Sequence, residues 1–176
     1  MNKLMKLGGI GIATALFATV AFADPAGKPL KVSTGKAYGT KQTSSVIKDP
    51  AVDGQVLRVA VTESGQKHWL AGINSLIGEK VKGGTKVRAT LWLRVAETEA
   101  AKQPIVYAAI QDNDPPRTEW AKQKFTLTDR WAPYVIEGIV PRDMPAYKVN
   151  ISLHIAATKQ TVDVASIAAV NLGPTG

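Results

Sequence analysis

Between Lys86 and Val95 the chain alternates strictly. Val87, Ala89, Leu91, Leu93 and Val95 are apolar, and Lys86, Arg88, Thr90, Trp92 and Arg94 stand between them. A period of two marks a strand with one buried face. The same period recurs along the chain. Leu57, Val59 and Val61 form an apolar file within Gln55–Thr62, and Val106, Ala108 and Ile110 form one within Pro104–Gln111. Val149, Ile151, Leu153 and Ile155 alternate with Lys148, Asn150, Ser152 and His154. Further strands are predicted in WAKQKFTLT, WAPYVIEGIV and the closing TVDVASIAAVNLG, and HWLAGINSLI reads as extended but broken at Gly72. Gly83-Gly84 is a turn signal, and Ala96–Gln103 is a polar connection with room for one helical turn.

About eight or nine short strands separated by turn residues predict an all-β sandwich. Residues 24–54, punctuated by Pro25, Pro29, Gly35, Gly39, Pro50 and Gly54, read as a loop-rich segment packed on the sandwich. Short strands are expected there near Leu30–Val32 and Ser44–Ile47. Residues 55–176 read as the sandwich itself, so that 24–176 form one domain with no internal repeat.

The first 23 residues change the setting. Lys3 and Lys6 precede an apolar run from Leu7 to Phe22, and Ala21-Phe22-Ala23 has the small-residue spacing of a cleavage site. This reads as a secretory signal peptide, shorter than a spanning helix needs, and implies a periplasmic or secreted protein with no membrane span after cleavage. Cleavage would remove two lysines and lower the formal charge from +8 to +6. That sign suits solubility or an anionic polymer. The basic residues are scattered, without the dense run of a nucleic-acid site. The chain has no cysteine, which excludes disulfides, thiol catalysis and thiolate-held metals. Its only histidines, His68 and His154, have no metal-ligand spacing. Asp112 and Asp114, in QDNDPP, lack the glycine and distal glutamate of a calcium loop and read as a polar turn. No nucleophile elbow or phosphate-binding glycine loop is present.

Four stretches, in order, resemble the carbohydrate-binding modules of families 4, 9 and 22. They are KDPAVDGQVLRVAVTESGQKHWLAGI, VKGGTKVRATLWLRVAE, FTLTDRWAPYVIEG and TVDVASIAAVNLG, spanning roughly Pro50 to Gly173. Val87 stands where the family often has an aromatic residue. The resemblance implies a galactose-binding-like β-jelly roll whose concave sheet face holds a saccharide without catalysis. It also implies a structural calcium near the N-terminal segment and the closing strand. Asp163 is the candidate ligand, with no evident acidic partner in the N-terminal segment.

If all the apolar files face one core, the opposite files present Arg88, Thr90, Trp92, Arg94, Tyr107, Gln111, Glu137, Asn150, Ser152 and His154. On side-by-side strands of one sheet these would form a sugar site. Rings would take the C–H face of a pyranose, the amides, Glu137 and His154 would bond hydroxyls, and arginine would grip a carboxylate. Trp69 and Trp120 are candidates for the rim. Each residue also has a plainer reading. Trp92 and Tyr107 could be packed beneath the N-terminal segment. Arg88, Arg94 and Glu137 could be a cross-strand ion-pair network. Asn150, Ser152 and His154 could be ordinary sheet residues, Trp69 and Trp120 could be loop packing, and Trp131 reads as core. The leading expectation is a stand-alone, non-catalytic module for an oligo- or polysaccharide, working alone or beside a separately encoded sugar-active enzyme. The alternative is an envelope protein using the jelly roll for protein interaction or structure. A third reading, an enzyme using Glu137, His154 and Tyr107 as an acid–base set, has the least support.

Overall fold

A computed structural model describes residues 27–175. The expected signal peptide, residues 1–23, lies outside the described residues. Eleven strands run in the order β1 (Lys28–Leu30), β2 (Lys36–Tyr38), β3 (Gln42–Lys48), β4 (Gln55–Val61), β5 (Gly72–Leu76), β6 (Thr85–Thr98), β7 (Ile105–Asp112), β8 (Glu119–Thr126), β9 (Ala132–Ile139), β10 (Val149–His154) and β11 (Gln160–Pro174). One 3-10 turn, His68–Leu70, precedes β5. Among the described residues no helix is long and apolar enough to cross a membrane.

Two antiparallel sheets face each other. The five-stranded sheet has the order β2-β5-β10-β7-β8. The six-stranded sheet has the order β3-β4-β11-β6-β9, with β1 beside β11 as its sixth member. The closing strand β11 is 15 residues long. β4 pairs with its first part, Thr161–Val164, and β1 with Ala169–Asn171, so the first described strand and the last lie side by side.

The apolar files behave as alternation dictates. Val87, Ala89, Leu91, Leu93 and Val95 of β6 are buried against Val106, Ala108 and Ile110 of β7 and Val149, Ile151 and Leu153 of β10. Each fully buried Leu or Ile contributes about 1.5–3 kcal/mol of transfer free energy. The N-terminal segment carries the short strand expected at Ser44–Ile47, as β3, one close to that expected at Leu30–Val32, as β1, and β2 in addition. Residues 27–54 supply three strands, β1 and β3 to one sheet and β2 to the other. Its polar composition suits edge strands, where one side needs no covering layer: β3 is exposed at five of its seven positions.

Candidate functional site

Cross-strand register arranges the outer face of the five-stranded sheet in rows. One row runs Tyr38, Gly72, His154, Tyr107, Lys124 from edge to edge. The next runs Lys36, Asn74, Ser152, Ala109, Lys122, and a third runs Leu76, Asn150, Gln111, Glu119. The β10 members point away from the core yet are almost sealed: Asn150 is 1% exposed, Ser152 0% and His154 6%. Polar side chains this buried require partners, since leaving one unpaired costs about 1–3 kcal/mol. Asn74 Oδ1 accepts from Asn150 Nδ2 at 3.1 Å and from Ser152 Oγ at 3.0 Å. Tyr38 bonds His154 Nδ1 at 2.7 Å. It can do so because Gly72 lies between them in the row; a Cβ there would sit 2.5 Å from the Tyr38 hydroxyl oxygen.

Among these β10 side chains two buried atoms have no hydrogen-bond partner, Asn150 Oδ1 and His154 Nε2. His154 lines an open depression of about 270 Å³ together with Tyr38, Trp69, Asn74, Gln111, Pro116, Arg117 and Glu119. Burial raises the Tyr38 hydroxyl above its ordinary pKa, so it keeps its proton and can donate to Nδ1 or accept from it, according to the His154 tautomer. His154 Nε2 faces Glu119 Oε1 at 3.8 Å, an acceptor that favours the neutral tautomer with the ring proton on Nε2 and Tyr38 donating to Nδ1. Burial, then the neighbouring His68 and Lys122, lower the His154 pKa to about 4 against the opposing pull of Glu119. His68 is lowered as well, by burial and then Lys122. At neutral pH the floor thus offers an uncharged N–H donor.

The aromatic residues take different parts. Trp69 is 50% exposed and lines the depression. Tyr107 lies on this face, but His68 stacks on its ring with centroids 4.3 Å apart. Lys122 Nζ sits 5.7 Å from the same ring centroid. Tyr107 is therefore packed rather than open. Trp120 is no rim residue; it packs against the core from β8, at a register shift where β8 carries one extra residue opposite Ile110 and Gln111.

The single ten-residue face expected from the sequence does not exist. Tyr107, Gln111, Asn150, Ser152 and His154 share the five-stranded sheet. Arg88, Thr90, Trp92 and Arg94 on β6 and Glu137 on β9 belong to the other sheet. Alternation reports which file points inward, and strand pairing decides which sheet it points away from. The acid–base set of Glu137, His154 and Tyr107 is likewise divided between the sheets.

On the six-stranded sheet the charged side chains are engaged with one another. Glu137 accepts from Arg88 Nε at 2.6 Å and is also paired with Lys86. Hydrogen bonds from Lys86 and then Arg88 hold its carboxyl below the usual range. Asp163, with a fully buried side chain, accepts from Arg58 through both oxygens at 2.7 and 2.8 Å, and from Arg94 Nε at 2.9 Å. Burial alone would raise the Asp163 pKa, but the bonds from Arg58 and Arg94 outweigh it and leave it lowered. Arg94 also pairs with Asp49. Its guanidinium lies 4.8 Å from the centroid of Trp131, which caps this cluster instead of joining the core. Asp49 is the N-terminal carboxylate that the sequence left unidentified. Between Asp49 and Asp163, where a bridging calcium would need free oxygens, stands a guanidinium. These residues do not fit a calcium site, and no cluster of three metal-ligating side chains occurs among the described residues.

The site also uses residues that the sequence reading passed over: Tyr38, His68, Asn74, Arg117, Glu119 and the Lys36, Lys122 and Lys124 edges. Asn74 alternates with the core residue Ile73 and was legible as outward-facing. Tyr38 carried no signal, because its three-residue strand is too short to show a period.

No protein-family model and no curated protein matches the sequence. Solved structures do share its fold. A CBM4 structure superposes with a TM-score of 0.58 at 17% identity, covering 78% of this chain and 86% of that one. The CBM22-1 xylan-binding domain of Paenibacillus barcinonensis Xyn10C gives 0.58 at 14% identity, covering 87% and 100%. A cyclase from Fischerella sp. TAU gives 0.54 at 14% identity, covering 82% and 77%. The chain therefore has the jelly-roll fold of the family 4/9/22 carbohydrate-binding modules, a fold that also serves an enzyme.

Proposed function

We propose that the protein is a non-catalytic carbohydrate-binding module that acts in the periplasm or outside the cell. A saccharide lies on the outer face of the five-stranded sheet, above β5, β10 and β7. The observation that carries this reading is the polar floor of buried Asn150, Ser152 and His154, bonded to the half-buried Asn74 and Tyr38, beneath an open depression with the half-exposed Trp69 beside it. A sheet's outer face normally meets water directly. A face that buries amides and an imidazole without an apolar layer over them is organised for hydroxyl-bearing ligands. Trp69 supplies the ring for a pyranose C–H face, and Gln111 and the His154 N–H supply directional bonds.

The likeness to carbohydrate-binding modules supports the class. The larger open hollow of about 520 Å³ at the ends of β4, β6 and β11 has no aromatic residue in its lining, which makes it the poorer candidate. The rival reading, a jelly roll used for protein contact, draws on Val135 and Ile139, 40% and 48% exposed on the edge strand β9.

Affinity electrophoresis and calorimetry against neutral and acidic polysaccharides test the proposal. The protein should bind at least one class. Trp69→Ala should weaken binding by tenfold or more, about 1.4 kcal/mol, while Trp92→Ala, on the opposite sheet, leaves it unchanged. Absence of binding to every glycan, or loss only in Trp92→Ala, overturns the assignment.

A further inference from the structure

The charges around the face point to a substrate class. The carboxylates of β7, of β8 and of the turn between them are neutralised within the protein: Glu119 pairs with Lys122 at 3.1 Å, Asp112 with Arg142 at 2.8 Å and Asp114 with Lys148 at 2.8 Å. Three cations of the same face have no acidic partner among the described residues: Lys36 on β2, Lys124 on β8 and Arg117 in the connection between β7 and β8. Lys36 and Lys124 stand on the two edge strands, in adjacent rows, with the polar floor between them. Four inter-strand spacings separate these edges, about 19 Å. Arg117 lines the depression itself, and its left-handed backbone, φ 58°, is fixed in a turn closed by its own N–H to the Asp114 carbonyl at 2.8 Å.

We infer that the ligand is an acidic polysaccharide, one whose sugar rings carry carboxylates. This rests on the carbohydrate-binding reading above and narrows it. A neutral glycan would leave three cations unused around a face otherwise made of amides, hydroxyls and rings. A polyuronate gives each of them a partner. Arg117 offers a planar fork matched to a carboxylate, and Lys36 and Lys124 act as point charges at either end of the occupied groove. Stacking on Trp69 and the bonds of the floor read the sugar, while the three cations read its charge. Attraction between such exposed charges is screened by salt, so affinity should fall as ionic strength rises.

The test compares polygalacturonate with the same polymer after reduction of its carboxyl groups, and with neutral xylan, using the protein from Asp24 onward. Binding should favour the native polyuronate by tenfold or more. Two charge reversals separate a built site from general attraction by a basic protein. Lys36→Glu/Lys124→Glu lies on the proposed face. Lys28→Glu/Lys48→Glu changes net charge equally on β1 and β3 of the other sheet. The first should lose at least tenfold in affinity for polygalacturonate and the second less than threefold. Equal losses would mean diffuse electrostatics and overturn the inference. Equal affinity for native and carboxyl-reduced polymer also overturns it but leaves the carbohydrate-binding reading standing. Failure to bind polygalacturonate overturns the inference, and the carbohydrate-binding reading falls with it only if every neutral and acidic glycan of the wider survey also fails to bind.

Discussion

His154 is where sequence and environment diverge most. Read from the chain, it is one more polar residue in an alternating strand. In the fold its imidazole is 6% exposed, held by Tyr38 at Nδ1 and unpaired at Nε2. Burial, with His68 and Lys122 adding to it, brings its pKa to about 4. The sign of the linkage follows. In the unfolded chain the ring protonates near 6.5, and in the fold only near 4. Between those values the unfolded state binds more protons, so stability rises with pH through this window and is fully present above it. The size is at most about 3 kcal/mol, from 1.36 kcal/mol per pKa unit. Proton-detected titration of the folded protein should place the His154 midpoint well below that of a free histidine. Urea unfolding should show stability falling between pH 7 and pH 4, less steeply in His154→Gln. The residual slope includes His68, which is shifted the same way. A midpoint near 6.5 would show that the ring is not sealed as described.

At the scale of elements, strand alternation was legible and strand partnership was not. The inward and outward files of β6, β7 and β10 follow directly from a period of two, and every inward residue of β6 from Val87 to Val95 is buried. Which strand lies beside which depends on contacts remote in sequence. β11 pairs with β6 across some 70 residues, and β2 reaches β5 over a gap of more than 30. That is why Arg88, Trp92, Arg94 and Glu137 were grouped with residues of the opposite sheet. It is also why Tyr38 went unseen. Gly72 shows the same limit: in the sequence it is a strand breaker, and in the fold it is the gap through which Tyr38 reaches His154. Gly72→Ala should therefore cost about 1–3 kcal/mol in urea unfolding through overpacking, since its Cβ would also lie 2.5 Å from the Leu153 carbonyl oxygen. The same variant should raise the His154 midpoint by opening its surroundings to water. A variant as stable as wild type, with an unchanged titration, would mean that the close approach is not needed.

For the whole molecule, a fold shared by carbohydrate-binding modules and a cyclase leaves function to the site, while the junction of the N-terminal segment with the closing strand adds to stability. β1 lies along β11, and Asp49, just after β3, meets Asp163 of β11 through Arg94. The resemblance to calcium-holding modules leads one to expect a metal between N-terminal segment and closing strand. Here Arg94, with Arg58 behind it, supplies the positive charge from within the chain. A guanidinium cannot dissociate, so chelation should not loosen the fold. Adding EDTA should move the melting midpoint by less than about 2 °C, below about 1 kcal/mol for a domain of this size. Asp163→Asn should instead lower stability by about 2 kcal/mol. That is less than for a fully buried pair, because both guanidiniums keep contact with water. The lowered Asp163 pKa sets the pH range of this contribution: it is present above the ordinary carboxylate range and is lost as the pH falls through the folded value. The difference between wild type and Asp163→Asn should thus be full at pH 7 and shrink in strong acid. A melting point that drops on chelation and recovers with calcium would show that a metal, and not Arg94, joins the N-terminal segment to the closing strand.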